Sequence, residues 1–274
     1  MYENHWHLSK NPFKNTPDLD FFYFSPQHEE AMTRMFYTLV EGRGAMLLTG
    51  ECGCGKTLIS RLFYRELRNR RDKYTLVLID NPHLNHQELL REILFQLGVK
   101  SADTDKAQLL QLLSRFLFEN NRAGKKTVIL VDEVQQIQSK ATLEELRLLL
   151  NHHQDQGFLL TLFLLGQPEF NETVRQFPQL DQRISTRFNL VPFSQWEVDE
   201  YILYRLKNAG TQKVIFKKEA VKAIYDASRG IPRIVNHLCD SALLLAYCQT
   251  KEFVDKEIVL NVIKNETFAS PVAN

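Results

Sequence analysis

Residues 50–57 read GECGCGKT, so three glycines, a lysine and a threonine fall in one eight-residue turn. Gly50, Gly55, Lys56 and Thr57 satisfy the spacing G-x-x-x-x-G-K-[ST], and the context fits: an apolar run, AMLLT, before it and a helical pattern, KTLISRLFYRELRNRR, after it. Glycines let the backbone curl until successive N–H groups face one anion, and the start of a helix adds its positive end. Residues Gly50, Glu51, Cys52, Gly53, Cys54, Gly55, Lys56, Thr57 and Leu58 therefore form an expected phosphate-binding loop. Lys56 would reach the β- and γ-phosphates, and the Thr57 hydroxyl would ligate Mg²⁺. Cys52 and Cys54 occupy positions where only main-chain amides must point inward; they read as space-filling, with a redox switch as the lesser reading.

A second group of residues has the chemistry to use a triphosphate. TVILVDEVQQI is an apolar strand pattern ending in Asp132 and Glu133, which puts two carboxylates at the carboxyl edge of a sheet. Asp132 suits Mg²⁺, which keeps several waters and takes few protein carboxylates. Glu133 suits the general base that polarises an attacking water. Adjacency of this strand to the one before the phosphate loop is assumed. LLTLFLLG ends at Gly166 and is followed by Gln167, whose amide would orient water or the γ-phosphate, the alternative being an ordinary loop residue. QLDQRISTRFNLVPF reads as a helix running into a fifth strand, with Arg183 and Arg187 on the helix. Either arginine would serve as a finger entering a neighbouring subunit's site, or else would be a solvated or carboxylate-paired side chain. GIPR, residues 230–233, places Arg233 in the first turn of a helix, where positive charge is disfavoured unless an anion compensates.

The elements that must hold these residues alternate. Runs at 45–49, 75–80, 127–133, 159–166 and 189–193 are short and apolar on both faces, and helical patterns separate them. This implies an α/β fold, a three-layer parallel sheet covered on both faces by helices. From Ser194 the strands stop and four helical patterns follow, with Gly210 and Gly230 at C-cap positions and Pro232 in a first turn. The expected division is an aromatic- and proline-rich N-terminal arm over 1–27 packing on the body, a nucleotide-binding α/β domain over 28–193, and an all-helical lid over 194–274. The nucleotide would sit between the last two.

Bulk properties restrict the partners. The 274 residues carry a formal charge of +1 and are 44% hydrophobic, so nothing global draws the chain to nucleic acid or acidic lipid. One local exception is RELRNRRDK, where Arg68, Arg70, Arg71 and Lys73 crowd a helix end; cations complement the dipole there, so a solvated C-terminus is the plainer reading. Four cysteines, Cys52, Cys54, Cys239 and Cys248, match no zinc spacing. HWH at 5–7 and His152-His153 lack acidic or cysteine companions at ligand spacing. No apolar run approaches the length of a membrane span, and the first residues have neither the basic start nor the apolar core of a signal peptide. A cytoplasmic chain is expected.

The ordered set of motifs resembles an AAA+ ATPase, and within that superfamily the general secretion pathway protein A group. The matching stretches are NPFKNTPD, FFYFSPQHEEAM, GECGCGKT, TVILVDEVQQI, LLGQPEF, QLDQRI and GIPRIVNHLCDSALLLAY, covering residues 8 to 263. The resemblance implies a P-loop (AAA+) fold and hydrolysis of ATP with Mg²⁺, coupled to formation of a ring or helical oligomer. It implies sensor-1 and sensor-2 roles for Gln167 and Arg233, and makes Arg183 the favoured finger. It also implies assembly of a secretion, pilus or exopolysaccharide system through a membrane-associated protein partner, which would hold the chain peripherally at the inner membrane. Secretion members of the group often continue into a membrane segment and a peptidoglycan-binding region. Related modules are ATP-dependent DNA-binding transposition regulators, so duplex DNA is the alternative, disfavoured partner.

Overall fold

The computed structural model describes residues 1–16, 18–100, 105–154 and 157–265; Pro17 of the arm and residues 266–274 of the expected lid lie outside the described residues. In chain order the elements are α1 (Pro26–Val40), β1 (Ala45–Gly50), α2 (Lys56–Arg68), β2 (Tyr74–Ile79), α3 (His86–Gln96), α4 (Lys106–Arg122), β3 (Lys126–Val131), α5 (Lys140–Leu149), β4 (His153–Gln154), β5 (Gly157–Phe158), β6 (Leu160–Gly166), α6 (Phe170–Arg175), α7 (Pro178–Asp181), β7 (Ile184–Leu190), α8 (Gln195–Asn208), α9 (Lys218–Ser228), α10 (Pro232–Cys248) and α11 (Lys256–Asn265). A 3₁₀ turn over Val134–Gln136 follows β3, and another over Leu19–Phe21 lies in the arm.

Five strands form a parallel sheet in the order β2-β3-β6-β1-β7. Every residue of β1 and β6 is buried, as expected for strands covered on both faces. Ala45, Leu47, Val77, Ile129, Val131, Leu162 and Leu164 pack with Leu90, Ile93, Leu113 and Leu146 of α3, α4 and α5. α1 and α2 cover other residues of the sheet: Thr38 contacts the Met46 sulfur, and Phe36, Phe63 and Phe163 stack edge to face. The result is three layers.

Two sequence expectations need correction. Strands β1 and β3 are not neighbours, because β6 runs between them. The fifth strand covers Ile184–Leu190 instead of 189–193, so Arg187 is a strand residue and Arg183 precedes the strand. Edge strand β7 buries its two ends and exposes Ser185, Arg187 and Asn189 in alternation. This period-two pattern reads poorly when doubly apolar runs are sought. Val191 to Phe193 leave the sheet, Pro192 having no N–H for a ladder, and the Phe193 N–H donates to the Gly230 carbonyl at 2.9 Å.

Contacts divide the chain into two units. One holds Pro26–Cys52 and Lys56–Leu190; the other holds Met1–Ser25, Gly53–Gly55 and the chain from Val191 onward. The core of the second unit joins Val198, Ile202, Ile224, Val235, Leu238, Leu243 and Val259 of α8–α11 to Tyr2, Trp6, Leu8, Phe13 and Phe21 of the arm. Buried Arg205 fastens the arm. It donates to the carbonyls of Pro12, Lys14 and Phe21, and its guanidinium lies 4.9 Å from the Phe21 ring centroid. An always-charged group with five fixed donors suits carbonyls that no helix or sheet satisfies. Tyr2 and Asn11 both donate to Asp240, and the Trp6 indole donates to the Leu243 carbonyl at 3.2 Å.

Among the described residues no helix is long and apolar enough to cross a membrane, and no group of His, Cys, Asp and Glu gathers at metal-ligand spacing. His5 meets the Lys251 carbonyl, and His152 bridges the Ser114 hydroxyl and the Leu149 carbonyl, which are ordinary packing roles.

Candidate active site

The phosphate-type loop joins β1 to α2. Gly53 (φ 89°) and Gly55 (φ 95°) lie in the left-handed region, which side chains with a Cβ rarely adopt. Lys56 begins α2 and is only 5% exposed. Its ammonium donates to the carbonyls of Gly50 at 2.7 Å and Glu51 at 3.0 Å, so the loop folds around a buried cation. Cys52 is exposed, Cys54 is buried, and neither is in a disulfide.

Asp132 follows β3, and its N–H extends the strand pairing by donating to the Ile79 carbonyl at 2.9 Å. Its side chain is buried. Burial raises its pKa above the usual carboxylate value; the nearby Thr57 hydroxyl, the Glu133 N–H that donates to it and the Lys56 charge oppose that shift without cancelling it. Thr57 and Lys56 thus act on the Asp132 carboxyl from across β6, which runs between β1 and β3.

Glu133 turns the chain. Its backbone is left-handed (φ 52°, ψ 39°), an uncommon conformation for a non-glycine residue, and its N–H donates to Asp132 Oδ1 at 2.9 Å. Gln135 donates from Nε2 to Glu133 Oε2 and accepts the Gln167 N–H on Oε1 at 3.0 Å. Gln167 stands immediately beyond β6, so Asp132, Glu133, Gln135 and Gln167 gather at the carboxyl edge of the sheet with Thr57. Gln135 is not among the site residues expected from the sequence; the QQ following DEV was its only signal.

The arginines are placed differently. Arg183 precedes β7, and because β7 runs parallel to β1, it lies at the amino edge of the sheet, the opposite end from the phosphate loop. A seven-residue strand spans about 20 Å. Arg187, halfway along and paired in register with Leu47, is exposed and ion-paired with Asp181. Arg183 meets the neutral amide of Asn151 at 3.3 Å. Arg233 is exposed in the first turn of α10. In the same unit, a Cβ added to Gly53 would come 2.8 Å from Arg233 Cβ.

A family model described as an AAA domain matches residues 39–174. General secretion pathway protein A of Aeromonas hydrophila is 39% identical over 253 residues, 91% of this chain and 45% of that protein. The chain belongs to the AAA+ ATPases. It spans less than half the length of that curated relative. Among solved structures, Aeropyrum pernix ORC2, determined as ADPNP–ADP complexes, superposes with a TM-score of 0.67 at 16% identity, covering 93% of this AAA+ chain and 71% of that one. Cdc6p of Pyrobaculum aerophilum gives 0.70 at 15% identity, covering 89% and 67%. At these identities the likeness is one of fold.

The residues of this AAA+ ATPase fit a nucleotide and a hard divalent cation. A buried ammonium lies within a loop whose glycines adopt left-handed angles, and the Thr57 hydroxyl and the buried Asp132 carboxyl on which it acts are an all-oxygen donor pair.

Proposed function

We propose that this AAA+ ATPase hydrolyses ATP with Mg²⁺ and couples the cycle to self-association, driving assembly of a secretion, pilus or exopolysaccharide system through a membrane-associated protein partner. The observation that carries the chemistry is the buried Lys56 ammonium held inside the glycine loop, with buried Asp132 within electrostatic reach of Lys56 and Thr57, and Glu133 next to it in the chain. Thr57 and Asp132 would hold the metal, Asp132 through its water shell. When bound, the ion neutralises charge on the β- and γ-phosphates. Residues Gly50, Glu51, Cys52, Gly53, Cys54, Gly55 and Leu58 frame the phosphates with main-chain N–H groups, and Lys56 places its positive charge on the terminal ones. Glu133 takes a proton from water as the water oxygen bonds to the γ-phosphorus; the bond to the bridging oxygen breaks, and ADP and phosphate leave. Gln167 orients that water or the γ-phosphate.

An arginine of a neighbouring subunit completes the charge stabilisation. Arg183 is the favoured finger: its own loop is a strand's length away, and its partner is a neutral amide, whereas Arg187 is held by Asp181. Arg233, close to Gly53, suits a cation that answers the phosphates. The secretion-type role rests on the likeness to the Aeromonas protein, and with it a peripheral place at the inner membrane.

Turnover per subunit should rise with protein concentration, and Glu133→Gln should bind ATP while losing at least about 100-fold in turnover. A rate per subunit that stays flat over a thousandfold dilution contradicts the trans arginine, and full turnover in Glu133→Gln removes that residue from its role.

A second reading is ATP-dependent binding of duplex DNA. Arg68 and Arg71 line a surface groove of about 340 Å³ with Tyr64 and Tyr74, beside edge strand β2. Salt-dependent, ATP-dependent retention of duplex DNA that is lost in Arg68→Glu/Arg71→Glu favours this reading.

A further inference from the structure

Glu133 pays for its place. A left-handed non-glycine backbone is strained, and such strain persists only where surrounding bonds over-determine it. The Glu133 N–H is held by Asp132 Oδ1. The 3₁₀ turn Val134–Gln136 then brings the Gln135 side chain back to the Glu133 carboxylate.

The orientation of the Gln135 amide is forced by its partners. A backbone N–H can only donate, so Oε1 faces Gln167 N; the NH₂ group must face Glu133 Oε2. The last torsion of a glutamate is broad in the absence of a partner, and this bond restricts it. The tip of β6 is shaped for the same contact: a Cβ at Gly166 would stand 2.6 Å from Val134 Cγ2 and 2.9 Å from Gln135 Oε1. One amide thus ties the carboxylate after β3 to the backbone after β6, between which the γ-phosphate would be read.

We infer that Gln135 is a positioning residue for hydrolysis: it fixes the rotation of the Glu133 carboxylate against the tip of β6, so that the base meets the attacking water in one orientation. The inference rests on the reading of Glu133 as general base.

Two substitutions separate this from a mere strut. Gln135→Met keeps the chain length and removes both bonds. Gln135→Glu keeps an acceptor for the Gln167 N–H and replaces the donor to Glu133 with a like-charged oxygen. Steady-state kcat and KM for Mg·ATP, together with equilibrium ATP binding, are measured for both, for Glu133→Gln, and for Glu133→Gln/Gln135→Met, with thermal melting as a check that each is folded. Both Gln135 variants should lose about 10- to 100-fold in kcat while KM and ATP binding stay within about threefold. In the Glu133→Gln background, Gln135→Met should change the residual rate by less than about twofold, because no carboxylate remains to be positioned. Loss of turnover in Glu133→Gln with a wild-type kcat in Gln135→Glu overturns the inference alone. So does a loss from Gln135→Met that is undiminished in the Glu133→Gln background. Full turnover in Glu133→Gln removes the base assignment and the inference with it.

Discussion

Asp132 shows how the site stores charge. A carboxylate buried beside Thr57 and Lys56 is worth little to the nucleotide-free fold, because desolvation outweighs its hydrogen bonds and raises its pKa. For an acid whose native pKa lies above its unfolded value, the folded state binds more protons. The associated stability is fully present below about 3.8 and is lost as pH rises through the raised native value. At neutral pH the group therefore works against folding. Asp132→Asn is expected to melt at a higher temperature than wild type at pH 7.5 without nucleotide, with the difference shrinking as the solution is acidified. Magnesium-dependent ATP binding should weaken by at least about tenfold in the same variant. Thermal melts across pH and a magnesium titration check the two halves separately.

At the scale of elements, what was legible depended on whether the signal was local. The phosphate loop carries its own glycines, lysine and flanking periodicities within residues 45–71, so it was readable before any fold was known. Strands β1, β3 and β6 announced themselves through burial on both faces. Edge strand β7 did not, because Ser185, Arg187 and Asn189 are exposed and the chain leaves the sheet at Val191 to Phe193. Gln135 showed only as the QQ after DEV for a different reason: its role needs β6 beside β3 and a left-handed Glu133, and neither strand order nor a single positive φ is written in residue types. The aromatic arm was expected to pack on a body, but its partners Arg205 and Asp240 lie some two hundred residues away and only the fold identifies them.

The junction of α9 and α10 ends with Arg229 and Gly230 both left-handed, and a Cβ on Gly230 would stand 1.9 Å from the Phe193 carbonyl oxygen. Backbone, not a flexible side chain, must move to admit it. Gly230→Ala should lose about 2–4 kcal/mol of stability in the helical unit. Both tryptophans, Trp6 and Trp196, belong to that unit, so urea unfolding followed by their fluorescence reads it directly.

Across the whole molecule, the polar and charged groups divide between the two ends of the strands. The sheet unit carries Lys56, Thr57, Asp132, Glu133, Gln135 and Gln167 at one edge and Arg183 at the other. Under the proposed function, a nucleotide site at one end of the strands and an arginine at the other would let the molecule act through a second copy of itself. The helical unit carries Arg233 and secures the arm through Arg205. All of these roles depend on a triphosphate being held by the loop after β1. Calorimetric titration of the purified chain with ATP in excess magnesium, beside Lys56→Ala, tests this most directly. Saturable binding by the wild type, weakened at least about 10- to 100-fold in Lys56→Ala, is the predicted result, since a buried charge-assisted contact is lost. Wild-type protein that binds no triphosphate, or a Lys56→Ala variant that binds as tightly as wild type, would contradict the account.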